Sequence, residues 1–446
     1  MPSDPALHRA AGLFSAGKYD EARAIALDLV AAQPSNFLVL HLLGAIAANS
    51  RRPEEALDYE TRALALKPDD IEALCNRAIA LRMLGRVEEA LVDYDRVLAG
   101  HPDFVPALSL KGVALAARNR HAEAIASYSK ALAIMPTYAP ALFNRSLSEL
   151  VLGDLERGLP DFEWRWKGRD SPIPMRPLGK PQWQGEDPRG RTILVHTEQQ
   201  GQGDSIQFCR FVPLLAERGA RVVFEAPPPL IPLFATLPAE LVPMGALLPS
   251  FDLHCPIMSL PLAFGTRVDT IPARVPYLQA PAAHLARWRE RLGPSEKPRV
   301  VIVWSGNPRQ PNDRNRSMPL TLAKSLANPA WDLIAVQKDV RDSDRAELDA
   351  GWVRWVGPEI ADFADTAAIV ELADLVVSVD TSVAHVAGAL AKPLWVLLTF
   401  APDWRWFLER EDCPFYPTAR LFRQEKPGDW EPVVRRVGQE LLSLLK

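Results

Sequence analysis

Proline recurs at positions 34, 68, 102 and 136, a constant interval of 34 residues. The same interval relates Ala22, Ala56, Ala90, Ala124 and Gly158. It also relates Gly17, Gly85 and Gly153, with Arg51 and Asn119 at the two intervening places. A chain with this period builds one supersecondary unit per repeat and buries its core by stacking neighbours. The residue types fit a helix pair. Alanine makes up 31 of the first 150 residues, which lets two helices approach closely. Tyr94, Tyr128 and Phe162 share the spacing and can fill the space between units. Proline ends each second helix, because it lacks the N–H and clashes with the preceding turn. Five units are predicted over residues 3–168.

Such helix pairs resemble the tetratricopeptide repeat, which implies an all-α superhelix with a concave groove lined by the first helix of each unit. The fifth unit departs from the pattern at Glu163-Trp-Arg-Trp166 and is read as a junction. Beyond residue 170 the composition changes, and 31 of the 41 prolines fall there. The proline-rich stretch within 169–190 is expected to be a linker.

The remainder alternates short β-rich runs with helical patterns. Strands are predicted at Thr192–His196, Arg221–Glu225, Arg299–Trp304, Asp332–Gln337, Leu375–Val379 and Pro393–Leu398. Continuous Val/Ile/Leu runs separated by helices indicate a parallel α/β sheet. They form two sets, divided near a helix at Ala282–Leu292, so two Rossmann-like lobes are expected over 191–281 and 282–446.

Three segments could carry chemistry. After the first strand comes Glu198-Gln-Gln-Gly201-Gln-Gly203-Asp204, where glycines permit close backbone approach to a ligand; Asp204 also suits a helix N-cap. After the first strand of the second lobe comes Trp304-Ser305-Gly-Asn307, then a polar loop with Arg314 and Arg316, either of which can grip phosphate. Near the end stands Asp380-Thr381-Ser382-Val-Ala-His385-Val-Ala-Gly388. There an apolar strand ends in small polar residues that open a helix, and free N–H groups at such a place can hold phosphate oxygens. His385 lies one helical turn beyond Thr381, as a cleft residue or a buried structural histidine. Gln337 and Lys338, ending another strand, are candidates for the base or phosphate of a nucleotide. The aromatic run Trp404–Phe407 can stack on a ligand or pack the lobes together.

Gly203-Asp204 and Asp380-Thr381-x-x-x-His385, followed by Gly388 and Lys392-Pro393, resemble the heptosyltransferase-type family of GT-B glycosyltransferases. Joined to the repeats, the layout is similar to bacterial flagellin-modifying glycosyltransferases and to the O-GlcNAc transferases. The resemblance implies metal-independent, inverting transfer from a nucleotide-sugar donor, with no cofactor. It gives Asp204 the role of general base. The donor falls to the second lobe, with Asp380, Thr381 and Ser382 at its diphosphate and Ser305, Asn307, Arg316, Gln337 and His385 about it. Ser382 departs from the family's glycine. A protein acceptor, flagellin-like in one reading, would be held by the repeats; of the groove positions where O-GlcNAc transferases carry asparagine, Asn76 and Asn144 keep it, while His8, Leu42 and Leu110 do not.

The net charge of −4 gives no bulk attraction to nucleic acid. No apolar run reaches the roughly 20 residues of a membrane span, and the first residues lack an export signal's pattern, so a cytoplasmic protein is expected. Four cysteines lie far apart, without disulfide-framework or zinc spacing. Asp93-Tyr-Asp95 and Asp342-Ser-Asp344 have the Asp-x-Asp form of metal-dependent transferases, but the first pair is expected to face solvent and the second to sit at a helix start. Two other functions stay open: a repeat scaffold whose α/β part has lost catalysis, and a GT-B-fold nucleotide-sugar epimerase or hydrolase.

Overall fold

The computed structural model describes residues 4–167, 175–198, 201–308 and 313–444. The chain divides into two compact units, Met1–Glu149 and Leu150–Lys446. No helix among the described residues is long and apolar enough to cross a membrane.

The repeat helices are α1 (Pro5–Ser15), α2 (Tyr19–Ala32), α3 (Phe37–Asn49), α4 (Pro53–Leu66), α5 (Ile71–Met83), α6 (Val87–Gly100), α7 (Val105–Ala116), α8 (His121–Ile134), α9 (Ala139–Val151) and α10 (Leu155–Phe162). Pro34, Pro68, Pro102 and Pro136 each follow the end of a second helix by two residues. The turn inside each pair passes through the left-handed region, at Gly17, Arg51, Gly85, Asn119 and Gly153, with φ between 57° and 89°. Glycine takes that conformation freely; Arg51 and Asn119 take it against a steric cost. Ala22, Ala56, Ala90 and Ala124 are wholly buried where the helices touch. At Gly112 a Cβ would lie 2.4 Å from Cε1 of Tyr128, so the glycine is what admits the ring.

The period also exposes an exception. Glu60 occupies the place of Tyr94, Tyr128 and Phe162 and is completely buried against Gly44. Its carboxylate accepts from His41 Nδ1 and Asn76 Nδ2, both at 3.0 Å. Asp93, expected to face solvent, is instead buried and gripped by the Arg77 guanidinium, with Nε to Oδ2 at 2.8 Å; in a low-dielectric position a carboxylate persists only when paired this way. Asp95 bonds Lys111 Nζ at 2.5 Å.

The second unit begins inside the fifth repeat, so α10 and the Glu163–Trp166 turn pack as part of it. Its first lobe is a parallel sheet in the order β3-β2-β1-β4, from β1 (Thr192–His196), β2 (Arg221–Ala226), β3 (Glu240–Pro243) and β4 (Leu253–Pro256). The second lobe carries β5 (Arg299–Val303), β6 (Asp332–Ala335), β7 (Arg354–Trp355), β8 (Leu375–Val379), β9 (Leu394–Leu398), β10 (Asp412–Cys413) and β11 (Tyr416–Arg423) in the order β10-β11-β9-β8-β5-β6-β7. Among the described strands only β10 is antiparallel, as in sheets covered on both faces, and the central strands are fully buried. The six expected strands form; the five missed ones are short or, in β11, carry charged residues and a proline. The helix Ala282–Leu292 has its expected bounds.

The described part of the proline-rich stretch is not a free linker. The N–H of Trp183 donates to His254 O at 2.8 Å, and Pro181 O accepts from the His254 N–H at 3.1 Å. This segment therefore extends the first lobe beyond β4, with Trp183 wholly buried. Residues 168–174 lie outside the described residues.

Candidate active site

In a parallel sheet, ligands bind beyond the carboxyl ends of the strands where successive connections run off in opposite directions. In the first lobe that point lies between β1 and β4; in the second it lies between β5 and β8. The loops at these points are the ones the sequence singled out: Thr197–Asp204 after β1, Trp304–Asn307 after β5, and Asp380–Ser382 after β8. Gln199 and Gln200 lie outside the described residues, as do residues 309–312 of the polar loop.

The loop after β1 is anchored by Glu198, whose carboxylate takes both Nε and Nη2 of Arg165 at 2.9 and 2.8 Å. Arg165 also reaches Ser259 and Glu163, and its side chain is only 1% exposed. The junction turn thus supplies a buried cation to this lobe, a role its sequence did not announce. Gly201 starts the helix Gln202–Phe208 as its N-cap residue. Asp204 is not the N-cap; it sits in the first turn and is bound through its side chain to Arg405, Nη2 to Oδ1 at 2.6 Å.

Gly203 serves close packing between the lobes. A Cβ there would lie 2.7 Å from Cδ2 of His385 and 3.6 Å from the Ser382 Cα. This contact carries Asp204 to the start of the helix Ser382–Ala389. His385 is buried, bonds the Tyr416 hydroxyl through Nδ1 at 2.8 Å and stacks on Trp406 with a ring separation of 5.3 Å. Burial first, and then the Arg405 and Arg210 charges, press its pKa well below the usual value, so the ring is neutral. Arg210 pins the same interface: its Nη1 donates to Phe415 O at 2.7 Å and its Nη2 to Tyr277 Oη at 3.0 Å.

On the second lobe, Thr381 occupies the N-cap of the helix Ser382–Ala389, but its hydroxyl lies 3.0 Å from Ser378 Oγ and caps nothing. The first N–H groups of that helix therefore lack a side-chain cap and point to the positive end of its dipole. Arg316 lies against Gly306, where a Cβ would meet its Nη2 at 2.3 Å, and it donates from Nη1 to Asp380 O at 3.2 Å. Arg314 is exposed, and so is Asn307. Gln337 braces the loop after β5, its Oε1 accepting from the Ser305 N–H at 3.4 Å and its Nε2 donating to Asp339 O at 3.0 Å. Lys338 donates to Ala361 O at 3.2 Å. Asp342 and Asp344 open the helix Asp342–Asp349, and Asp344 accepts from Trp304 Nε1 at 2.9 Å.

Both aspartates of the site are hard to ionise. Burial pushes Asp204 up to about 6, opposed by Arg405 and reinforced by Asp403 and Glu198. Burial and then the Asp403 charge push Asp380 up to about 6 as well, opposed by Trp406 and by the Arg316 and Arg405 guanidinium groups. A carboxylate poised near neutrality suits proton transfer. Among the described residues, His284, Asp362 and Asp365 converge closely enough to hold a cation. Their oxygens are engaged, however: Asp365 accepts from Trp288 Nε1 at 2.7 Å and from the Ala361 N–H at 2.9 Å, and Asp362 caps the following helix.

The groove candidates lie in the repeat unit. Asn76 donates to Glu60, Asn144 donates to Pro140 O at 2.8 Å, and Leu42 is buried.

Residues 9–71 and 75–140 match the tetratricopeptide repeat family. The helical unit is a tetratricopeptide-repeat array. The chain is also 27% identical over 329 residues to Protein FlbA of Caulobacter vibrioides, an alignment covering 67% of this chain and 54% of that protein. It therefore spans about half the length of that curated relative, and the aligned stretch reaches beyond the repeats into the α/β unit. Among solved structures it is similar to MamA (20% identity, 37% of this chain and 94% of that one, TM-score 0.32). It is also similar to PilW, a widely conserved type IV pilus biogenesis factor (23% identity, 36% and 74%, TM-score 0.34).

Proposed function

We propose that the α/β unit is a metal-independent, inverting glycosyltransferase of the GT-B type, transferring a sugar from a nucleotide-sugar to a protein acceptor that the repeats hold. The observation that carries this reading is the meeting of two switch-point loops, one from each lobe. The first brings a largely buried carboxylate, Asp204. The second brings an uncapped helix start with Arg316 beside it. In the reaction, the acceptor hydroxyl gives its proton to Asp204 while its oxygen bonds the anomeric carbon. The bond from that carbon to the diphosphate oxygen breaks, and the electron pair leaves with the diphosphate. The charge that develops there is met by the N–H groups at Ser382 and by Arg316, which are fixed before reaction. Acceptor capture in the repeat groove would require Asn76 and Asn144 to exchange their present partners for the backbone of a bound chain.

Thermal-shift measurement against a panel of nucleoside diphosphates and nucleotide-sugars tests the reading. A ligand at 100 times its Kd stabilises by about 2.7 kcal/mol, and added chelator is expected to leave both binding and transfer unchanged. Absence of any shift, or loss of transfer with chelator, would refute it. The Arg405 pair on Asp204 favours a second reading, a scaffold with an idle α/β unit; nucleotide binding with neither transfer to protein nor turnover of the nucleotide-sugar would establish that one.

A further inference from the structure

Arg405 follows β9 in the run Asp403-Trp-Arg-Trp406, and its side chain is only 9% exposed. Its terminal nitrogens are held by carboxylates from different lobes: Nη2 by Asp204 at 2.6 Å, Nη1 by Asp403 at 2.7 Å. Its Nε is buried with no hydrogen-bond partner among the described residues. A second orphan, the buried Ser305 Oγ, stands on the loop after β5. Buried donors are seldom left unmet, and here they recur in the loops after β1, β5 and β9, with Thr197 Oγ1 on the first of these. The Asp380 carboxylate feels both Arg405 and Arg316, so three aspartates and two guanidinium groups share the region. The three carboxylates outnumber the two guanidinium groups, so a second cation joins Arg316 at a diphosphate only if Arg405 is released from a carboxylate.

We propose that Arg405 is a diphosphate-binding residue and that its ion pair with Asp204 is a resting state which binding of a nucleoside diphosphate group exchanges. The inference rests on the transferase reading above. On binding, the guanidinium leaves Asp204 Oδ1 for phosphate oxygens, which its planar donors match. Asp204 is then free to accept the acceptor hydroxyl. The groups that face Asp204 are Arg405, Asp403, Glu198 and Arg165, with neutral His385 across Gly203. Arg165 is committed to Glu198 and Glu163. Departure of Arg405 therefore leaves a buried carboxylate among other carboxylates. Its proton affinity rises and it becomes a stronger base. Without donor the base is tied down and water is not activated.

Asp204→Asn, Arg405→Gln and the double variant of the full chain test the exchange. Without ligand at pH 8, the two single changes should lower Tm by more in sum than the double change does. At pH 4.5, where Asp204 is protonated, that excess should vanish. The probes are UDP, GDP, CDP and ADP, with inorganic pyrophosphate as the arm that separates the diphosphate from its nucleoside. Arg405→Gln should weaken the best probe at least tenfold. Wild-type binding at pH 6.5 should take up a fraction of a proton, read as a calorimetric heat that varies with the buffer's ionisation enthalpy. Asp204→Asn should bind without that uptake. Should Arg405→Gln not fold, Arg405→Lys keeps the charge without the planar donors and carries the same comparison. Additive Tm losses in the free protein, or a probe bound equally by wild type and Arg405 variants, overturn the exchange and leave the transferase reading standing. No binding of any probe to the wild type overturns the transferase reading, and the exchange with it.

Discussion

Replacing Gly203 by alanine puts a methyl group 2.7 Å from Cδ2 and 3.3 Å from Nε2 of His385. The ring has nowhere to go, because it is buried, bonded to the Tyr416 hydroxyl at 2.8 Å and stacked on Trp406. Overpacking of this kind costs about 1–3 kcal/mol. Gly201, two residues earlier, is the internal control. Among the described residues beyond its chain neighbours, no atom lies within 4 Å of a Cβ placed there, and its φ of −64° is open to any residue. Replacing a glycine N-cap by alanine costs about 0.5–1 kcal/mol, and the reduced freedom of the unfolded chain returns about 0.4–1 kcal/mol, so Gly201→Ala is expected within about 0.5 kcal/mol of wild type. Urea and thermal denaturation of the two variants give the comparison directly. Each kcal/mol corresponds to roughly 2–4 °C in Tm for a domain of 150–250 residues, and somewhat less for a larger unit. Nucleotide binding should also weaken in Gly203→Ala, since the methyl pushes apart the two loops of the site. Equal stability of the two variants, or a larger loss in Gly201→Ala, would refute the close approach of the lobes at Gly203.

Asp204→Asn should lower transfer by about 10²–10⁴-fold, and wild-type kcat/KM should rise with pH through about 6, where the Asp204 carboxyl of the free protein ionises; transfer by the variant at the wild-type rate would remove Asp204 as the base. The same raised pKa makes the folded state bind its proton more tightly than the unfolded one, so up to ~3 kcal/mol of stability is lost as pH rises from about 4 to about 6, a slope that Asp204→Asn should flatten in pH-resolved denaturation. Arg316→Ala should weaken a nucleoside diphosphate by about 1.5–3 kcal/mol, the range for a hydrogen bond to a charged group; calorimetry showing unchanged affinity would assign Arg316 to bracing Asp380 alone. Burial raises the Glu60 pKa, and Glu60 raises that of His41 against the opposing effect of burial. Both shifts give stability that is lost as pH rises through the folded-state values, so the repeats should melt lower at pH 8 than at pH 5.5, with a smaller difference in Glu60→Gln; a flat or rising wild-type profile would contradict this.

The repeat array was legible because its contacts are local and recur. A 34-residue interval fixes which positions meet, so buried alanines, post-helix prolines and the left-handed turn residues can be placed by counting. Glu60 shows where counting stops. The interval puts it in an aromatic slot, while its residue type argues for the surface. The slot wins because Gly44 leaves room for the side chain and His41 and Asn76 satisfy its oxygens. Residue type misled at Asp93 for the same reason, since Arg77 from the neighbouring helix makes burial tolerable. Strands with continuous Val/Ile/Leu runs were equally readable. Strands β4 and β11 were not, because their ladders are made by partners that no local pattern specifies.

The site divides along the same line. Its loops could be found from sequence, since glycines and small polar residues after apolar strands mark the ends of strands in any parallel sheet. What those residues do could not, because their neighbours come from afar. Asp204 meets Arg405 across 201 residues, and Arg165 meets Glu198 across 33. Arg405 was hidden inside an aromatic run whose tryptophans drew attention to stacking, yet the guanidinium between them touches the carboxylate most suited to act as base. The arginines after β5 show the converse. Position after a strand favoured Arg314 and Arg316 alike, and only the absence of a side chain at Gly306 makes room for Arg316 against the backbone. In this fold, then, glycines report where something must come close, and the charge that comes close has to be read from the three-dimensional neighbours. That is why Gly203 and Gly306, more than the acids and bases beside them, mark where the two halves of the site are held.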